Sequence, residues 1–433
     1  MTNEPEELEV LKRPLTRRQL LGGTAAAVAG LGTAAILGCS EDEETGGPPS
    51  GGTYTDPGIS DTEVKIGTIL PITGPILGTN ALPNSVKAYV EYVNAEKDGI
   101  GGRKLTLIMV DGQYNPPVSL ELARRLVEQD QVFALAGVLG TPINAAIMPY
   151  MVSKNVPNIQ IFTGASVFLD PAQTPLSPMG NIPYVVEGGL LGKLILQELP
   201  NAKVAVLRQN DSLGESYLDG VRKGMGAKAS QIVSVQTFEV TDSSAAAQVV
   251  AMKNAGADVL FFASTLRMSI LATKEAFAQG WKPRFVFGLT AGATDTINVV
   301  GKAEMKDTLT AFVSKDPRDP AYANDKAVLE GKRIIEKYAP GTELNDPNWG
   351  LGVASTATLV EILNKMKTPT RKGLLESVRS LKNYDADGLY LPGVSFSGST
   401  ETNATVTRER YARWDGTKWV QFGDAVDGSE FLK

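Results

Sequence analysis

The sequence predicts an α/β protein built on two mainly parallel sheets. Short runs rich in Val, Ile and Phe have the length and composition of strands, and helical patterns separate them. Because strand, helix and strand follow one another about every thirty residues, the connections should form right-handed βαβ units, which produce parallel sheets. Eight such strands in a chain of 433 residues indicate two sheets rather than one.

The apolar runs predict strands over residues 64–70, 105–110, 132–136, 159–162, 204–207, 233–238, 259–262 and 285–288. Helical spacing follows the first two: Val86, Tyr89, Val90 and Val93 share one face, and a similar face begins at Leu120. A further helix over 247–255 should end at Gly256, because glycine is the usual residue after a helix. Ligands bind beyond the carboxyl ends of parallel strands, so the residues directly after each strand are the candidates for a site.

Composition excludes several kinds of chemistry. The chain has no histidine and a single cysteine, Cys39, so imidazole catalysis, a disulfide and a zinc site of several thiolates are all excluded. Phosphate-binding glycine motifs are missing, and the chain beyond its first 57 residues is almost neutral, which disfavours nucleic acid. Asp111, Asp211 and Asp258 stand at strand or loop edges, where turn and cap roles are more common than acid–base work. We expect no catalytic residue, metal or cofactor.

Residues 1–39 have the pattern of an export signal. Arg17 and Arg18 precede an uncharged, Ala- and Gly-rich segment over 20–38, and Cys39 follows it. A transmembrane anchor is the alternative, but the segment is too weakly apolar to favour it. The arginine pair resembles a twin-arginine motif, and the residues before Cys39 resemble a lipobox with lipidation of the cysteine sulfur. Residues 40–60 are acidic and rich in Gly and Pro, which predicts a flexible tether outside a membrane.

Several segments together resemble one family in their order and spacing. They are 66–75, 93–103, 110–111, 136–141, 163–166, 201–207, 209–214, 280–283 and 391–393. The resemblance is to type I periplasmic binding proteins, and within them to the Leu/Ile/Val-binding group of branched-chain amino-acid ABC transporters. It implies two doubly wound lobes joined by a three-strand hinge, with a ligand held between them. Carried over, lobe 1 is 61–184 plus 312–390, and lobe 2 is 185–311 plus 391–433.

The first part of the implied ligand site lies after two strands of lobe 1. Thr141 suits the N-cap of a helix and Pro142 its first position, where free N–H groups and a hydroxyl favour an anion. From spacing alone, Thr141 is equally a plain cap; the resemblance implies that it binds the carboxylate of the ligand. The matching family segment also implies ligand contacts for Gly164, Ala165 and Ser166, the alternative being an ordinary turn.

Two departures from the family pattern lie on the other lobe. Amino-acid binders usually carry an acid after the strand at 285–288, whereas this chain has Thr290 there. Leu213 and Leu266 stand where the family commonly has aromatic residues. A buried ammonium group without a carboxylate is costly, so the ligand is either a hydrophobic amino acid or an aliphatic or aromatic acid without an amine. Glu187 or Asp211 could replace the missing acid.

The resemblance therefore implies a solute-binding protein that delivers a small carboxylated ligand to an ABC permease and its ATPase. We expect a non-enzymatic monomer, exported to the periplasm or the outer face of the cell membrane and anchored through lipid. A ligand sensor of the same fold is the first alternative, and an enzyme on this fold is the second. A neighbouring permease gene would favour transport, a neighbouring kinase gene would favour sensing, and turnover of the ligand would indicate an enzyme.

Overall fold

The computed structural model describes residues 54–74, 76 and 80–433. The predicted export signal, with Arg17, Arg18 and Cys39, lies outside the described residues, as does most of the predicted tether. None of the helices in the described part of the chain is both long and apolar enough to cross a membrane.

The first sheet has four strands in the order β2-β1-β3-β4, and all of its pairings are parallel. Its strands are β1 (Glu63–Leu70), β2 (Lys104–Asp111), β3 (Ala134–Ala136) and β4 (Asn158–Ile159). The helices between them are α1 (Ala81–Glu96), α2 (Pro116–Glu128) and α3 (Thr141–Ser153). Helix α1 packs on one face of the sheet, whereas α2 and α3 pack on the other, so the sheet is doubly wound.

The second sheet has seven strands in the order β11-β10-β9-β8-β7-β5-β6. They are β5 (Val204–Gln209), β6 (Ile232–Phe238), β7 (Val259–Ala263), β8 (Arg284–Phe287), β9 (Leu309–Phe312), β10 (Arg408–Trp414) and β11 (Trp419–Asp427). Its helices are α4 (Tyr184–Glu198), α5 (Ser212–Met225), α6 (Ala246–Asn254), α7 (Leu266–Ala278) and α8 (Ala293–Val300). Helices α4 and α5 cover one face, and α6 to α8 cover the other. Two parallel-dominated, doubly wound sheets confirm the predicted fold class.

Three further helices follow β9 but pack against the first sheet. They are α9 (Lys326–Tyr338), α10 (Asn348–Asn364) and α11 (Arg371–Ser380), and their buried side chains, including Trp349, share a core with β1 and α1. The chain therefore passes between the sheets before Tyr184, after Phe312 and near Leu391, whose N–H donates to the carbonyl of Val313 at 3.0 Å. The lobe boundaries drawn at these crossings stay predictions.

The structure contains strands at all eight predicted places and a helix over 246–254 with Gly256 beyond it at φ +71°. Apolar runs had not indicated β9, β10 or β11. Strand β10 mixes buried and partly exposed positions and includes four charged residues, because an antiparallel sheet needs only one apolar face. A search for continuous apolar runs therefore misses such strands.

Candidate ligand-binding cleft

A cavity of about 330 Å³ lies where elements of the two sheets meet. The loops after β1, β2 and β3 supply one side of its wall, including Leu70, Tyr114 and Thr141. Residues after β5, β7 and β8 supply another, including Leu213 and Leu266. The cavity is thus at the carboxyl ends of strands in both sheets, where the fold class predicts a ligand site.

The two sides of the cavity contact each other directly. Tyr114, on the first-sheet side, lies beside Gln209 at the end of β5. Val240, which follows β6, packs against the core formed by β1, α2 and α3. These contacts join the two sides of the cleft beside its cavity.

Asp111 organises the loop at one edge of the cleft. Its carboxylate accepts hydrogen bonds from the N–H groups of Ile72 (2.9 Å), Thr73 (3.1 Å) and Gln113 (3.0 Å) and from the Thr73 hydroxyl. Although burial disfavours the charged form, these bonds lower the pKa of Asp111. Its predicted role in a turn is confirmed, as is capping by Asp211, which accepts from the first turn of α5.

Thr141 lines the cavity, but it does not cap α3 as predicted. The cap position belongs to Gly140, whose φ of +118° suits glycine, so Thr141 is the first helical residue. Its hydroxyl instead lies 2.7 Å from the hydroxyl of Thr163. Burial raises the pKa of Tyr184 to about 12, and the nearby Gly164 backbone and both threonine side chains oppose that shift. Thr141, Thr163 and Tyr184 therefore form one hydroxyl cluster.

Gly164, Ala165 and Ser166 do not line the cavity. A Cβ on Gly164 would lie 2.3 Å from the Ile182 carbonyl oxygen, so the glycine permits a close approach of two backbone segments. Ser166 begins a single 3₁₀ turn, and its N–H donates to the Ser216 hydroxyl at 2.9 Å. The closeness of the backbone at Gly164 packs two chain segments together, and the ligand contacts expected for Gly164, Ala165 and Ser166 stay a prediction.

Leu213, Leu266 and Thr290 all line the cavity, so the structure brings them together with Thr141. Leu213 is only 2% exposed, and Leu266 packs against Gly292. The Thr290 hydroxyl donates to the Ser264 carbonyl at 2.8 Å, so its proton is already used within the protein.

Neither proposed substitute for an acid at position 290 lines the cavity. Glu187 is fully buried, and its carboxylate accepts from the Leu289 N–H and the Tyr217 hydroxyl, both at 2.6 Å. Burial raises the pKa of Glu187 to about 7, against the effect of these two hydrogen bonds. Asp211 is occupied as the cap of α5. Both carboxylates hold elements in place and do not face a ligand.

The cations of the described wall are paired with carboxylates. Lys315 lies 2.6 Å from Asp325, and Arg318 binds both oxygens of Asp316 and one oxygen of Asp295. The wall therefore presents no isolated cation to a ligand.

Sequence reasoning missed much of the wall, above all its aromatic side chains. Those rings belong to Tyr114, Phe162, Tyr184, Phe312 and Tyr390. Tyr114 could have been found, because it follows β2 directly. Phe312 and Tyr390 lie at crossings between the sheets, and nothing in their local sequence distinguishes them from core residues.

Comparison with known proteins identifies the family. The family model described as periplasmic binding protein matches residues 63–418. The chain belongs to the periplasmic binding proteins. Members of this family bind substrates outside the cytoplasm, and the family is not one of enzymes. A relative from Brucella suis biovar 1, "Leu/Ile/Val-binding protein homolog 7", is 27% identical over 324 residues, covering 70% of this chain and 78% of the relative.

Solved structures show the same fold for this binding protein. A branched-chain amino-acid ABC transporter protein from Thermus thermophilus, with bound valine, superposes with a TM-score of 0.74 and 19% identity, covering 85% of this chain and 97% of the other. The fatty acid ABC transporter substrate-binding protein from Thermomonospora curvata gives a TM-score of 0.70 at 19% identity, covering 89% and 97%. The type I fold inferred from the sequence is thereby confirmed.

Proposed function

We propose that this binding protein is the substrate-binding subunit of an ABC importer and that it captures a small carboxylate without an α-amine. The observation that carries this proposal is a cavity that combines a hydroxyl cluster at a helix start with Thr290, at the position where the resemblance implies an acid in amino-acid binders. The similar protein from Thermus thermophilus holds valine, and the one from Thermomonospora curvata is named for fatty acids, so both ligand types occur on this fold.

The start of α3 supports a carboxylate. Helix α3 has 13 residues, and the N–H groups of Thr141 and Ile143 in its first turn have no intrahelical acceptor. Such N–H groups and the helix dipole favour an anion, and a hydroxyl adds a further donor. Thr141 is therefore assigned to the carboxylate, as the resemblance implies.

The rest of the wall supports an apolar body. Five aromatic rings and several Leu and Ile side chains line the cavity. Its volume of about 330 Å³ would hold about eleven groups the size of a water molecule. That size fits aliphatic or aromatic acids of about ten non-hydrogen atoms as well as a branched-chain amino acid.

The residues at position 290 and around it weigh against the amino acid. Thr290 carries no charge, and Glu187 is turned to Leu289 and Tyr217. An α-ammonium group beside a carboxylate held at Thr141 would lose its hydration without gaining a carboxylate at position 290, which is unfavourable. The amine-free acid avoids this cost.

Delivery to a permease completes the proposal. Export through the arginine pair and lipid attachment at Cys39 would keep the lobes, 61–184 plus 312–390 and 185–311 plus 391–433, next to the outer face of the membrane. The lobes would close over the ligand, and the permease would bind the closed, monomeric form.

The test compares leucine with its amine-free analogue, 4-methylpentanoate, by calorimetry on the full chain. We expect the analogue to bind more tightly. Thr141→Ala should weaken it about ten- to a hundredfold, because one hydrogen bond to a charged group is lost. Thr290→Glu should shift preference toward leucine by restoring a counter-charge. Thr400→Ala, which removes an exposed hydroxyl outside the cavity wall, is the matched control. Tight leucine binding by the unmodified protein, unaffected by Thr141→Ala, would refute the proposed ligand class.

A further inference from the structure

A second polar group lies on the cavity wall, separate from the hydroxyl cluster. Arg318 donates from Nε and Nη2 to the two oxygens of Asp316, at 3.1 and 3.0 Å. Its Nη1 donates to Asp295 Oδ1 at 3.1 Å and to the Asn345 carbonyl at 3.2 Å. Arg318, Asp295 and Asp316 all line the cavity. Most of the donors of the guanidinium are therefore committed to the protein itself.

One carboxylate oxygen of this group is open, in the sense that it has no hydrogen-bond partner in the described part of the chain. Within the described part of the chain, Asp295 Oδ1 bonds to Arg318, whereas no hydrogen bond involves Oδ2. The Asp295 side chain is 30% exposed and belongs to the wall. Asp316 differs in this respect, because both of its oxygens accept from Arg318. Asp295 is thus the acid of this group whose second oxygen can still accept a hydrogen bond.

The charges around this oxygen favour a hydrogen-bond donor as its partner. Burial raises the pKa of Asp295 in spite of Arg318, and the nearby carboxylates of Asp346 and Asp316 act in the same direction. One guanidinium thus faces three acids, and the other cation of the wall, Lys315, is bonded to Asp325. A second anionic group of a ligand would be repelled here, whereas a hydroxyl or amide N–H would be attracted.

The two polar groups are built by different parts of the fold. The hydroxyl cluster comes from α3, the segment after β4 and the start of α4, whereas Asp295 lies in α8 and Arg318 in the segment between β9 and α9. They share no residue and no hydrogen bond. One ligand that contacts both groups must carry two separate polar groups.

We propose that Asp295 is a specificity-determining residue, whose open oxygen accepts a hydrogen bond from a hydroxyl or amide group that the ligand carries apart from its carboxylate. This inference rests on the proposed function, since it assumes that Thr141 binds the carboxylate. When the cleft closes, the open oxygen loses water, and a ligand without a donor leaves it unpaired in a partly buried place. A ligand with a donor restores the lost hydrogen bond.

The experiment compares acids that differ in one group, by calorimetry on the full chain. The first series is phenylacetate, 4-hydroxyphenylacetate and 4-methoxyphenylacetate; the second is octanoate, 8-hydroxyoctanoate and 8-methoxyoctanoate. A methoxy group keeps the oxygen but removes the donor. In at least one series the hydroxy acid should bind about ten- to a hundredfold more tightly than the methoxy acid.

Asp295→Asn replaces the open carboxylate oxygen of Asp295 with an NH₂ group and changes the shape of the side chain little. Arg318 needs an acceptor, so the amide oxygen should face Arg318 and the NH₂ group should face the cavity. The preference for the hydroxy over the methoxy acid should then disappear or reverse. Asp316→Asn is the control, because it removes the same charge from the same cluster but leaves the open oxygen of Asp295 unchanged, so the preference should persist.

The outcomes separate the two proposals. If these acids bind without a preference for the hydroxy form, or if the preference survives Asp295→Asn, the role of Asp295 is refuted and the proposed function stands. If no acid of either series binds, the proposed ligand class is refuted, and the role of Asp295 with it. If the Asp295→Asn variant does not fold, the affinities of the unmodified protein for the hydroxy and methoxy acids still test the role of Asp295.

Discussion

Removal of the buried carboxylate of Glu187 should change how stability depends on pH. Glu187 lies in the first turn of α4 and is 1% exposed. Its oxygens hold the Leu289 N–H and the Tyr217 hydroxyl, so it supports the turn that carries Thr290 on the cleft wall. Glu409, also buried, faces it from β10, and burial together with the Glu187 charge raises the pKa of Glu409 well above its usual range.

The magnitude follows from proton linkage. Burial raises the pKa of Glu187 from 4.5 to about 7 in the folded protein. Between these two values the folded state binds a proton that the unfolded state has lost, so the free energy of unfolding falls as pH rises. One proton corresponds to about 1.4 kcal/mol for each pH unit, or roughly 3 kcal/mol over this window.

Glu187→Gln should remove the contribution of Glu187 to the slope of the free energy of unfolding against pH. Glutamine keeps an acceptor for the Leu289 N–H but does not ionise. Between pH 5 and 8, the free energy of unfolding should therefore fall by about 3 kcal/mol less in the variant than in the unmodified protein. Urea unfolding at several pH values measures the difference. Glu430→Gln, which removes an exposed carboxylate paired with Lys193, is the control and should keep the original slope. Equal slopes for Glu187→Gln and the unmodified protein would refute the argument.

Three further predictions concern the anchor, the export route and packing. Cys39→Ser should release the protein from membranes on fractionation, and full retention would rule out lipidation at Cys39. Replacing Arg17 and Arg18 with Lys keeps the charge but not the guanidinium groups, so export should fall; undiminished export would indicate the general secretion route. Gly164→Ala would place a Cβ 2.3 Å from a carbonyl oxygen and should destabilise the protein by about 1–3 kcal/mol in thermal unfolding. Gly350→Ala, whose Cβ would have ordinary contacts at 3.5 Å, should not destabilise it.

Local patterns in the sequence were sufficient for strands β1 to β8 and for helices α1, α2 and α6. Strands β3, β5, β7 and β8 are apolar runs because they are buried on both faces of a parallel sheet, so their composition predicts them without tertiary information. The rule that ligands bind at carboxyl ends of strands then selected Thr141, and the resemblance added Leu213, Leu266 and Thr290; all four line the cavity. The same rule selected Gly164, which the structure assigns to backbone packing.

The role of each polar side chain was decided only by the tertiary structure. Glu187 and Asp295 are both acids in the first turn of a helix, and their local sequences do not distinguish them. Glu187 is enclosed by Leu289 and Tyr217, more than twenty residues away in the chain, whereas Asp295 meets Arg318 from the segment after β9. The sequence by itself determined the fold class and the side of the sheets that binds a ligand, because strand burial and chain order are local properties. Which acid faces the cavity depends on contacts between distant segments, and these exist only in the folded chain.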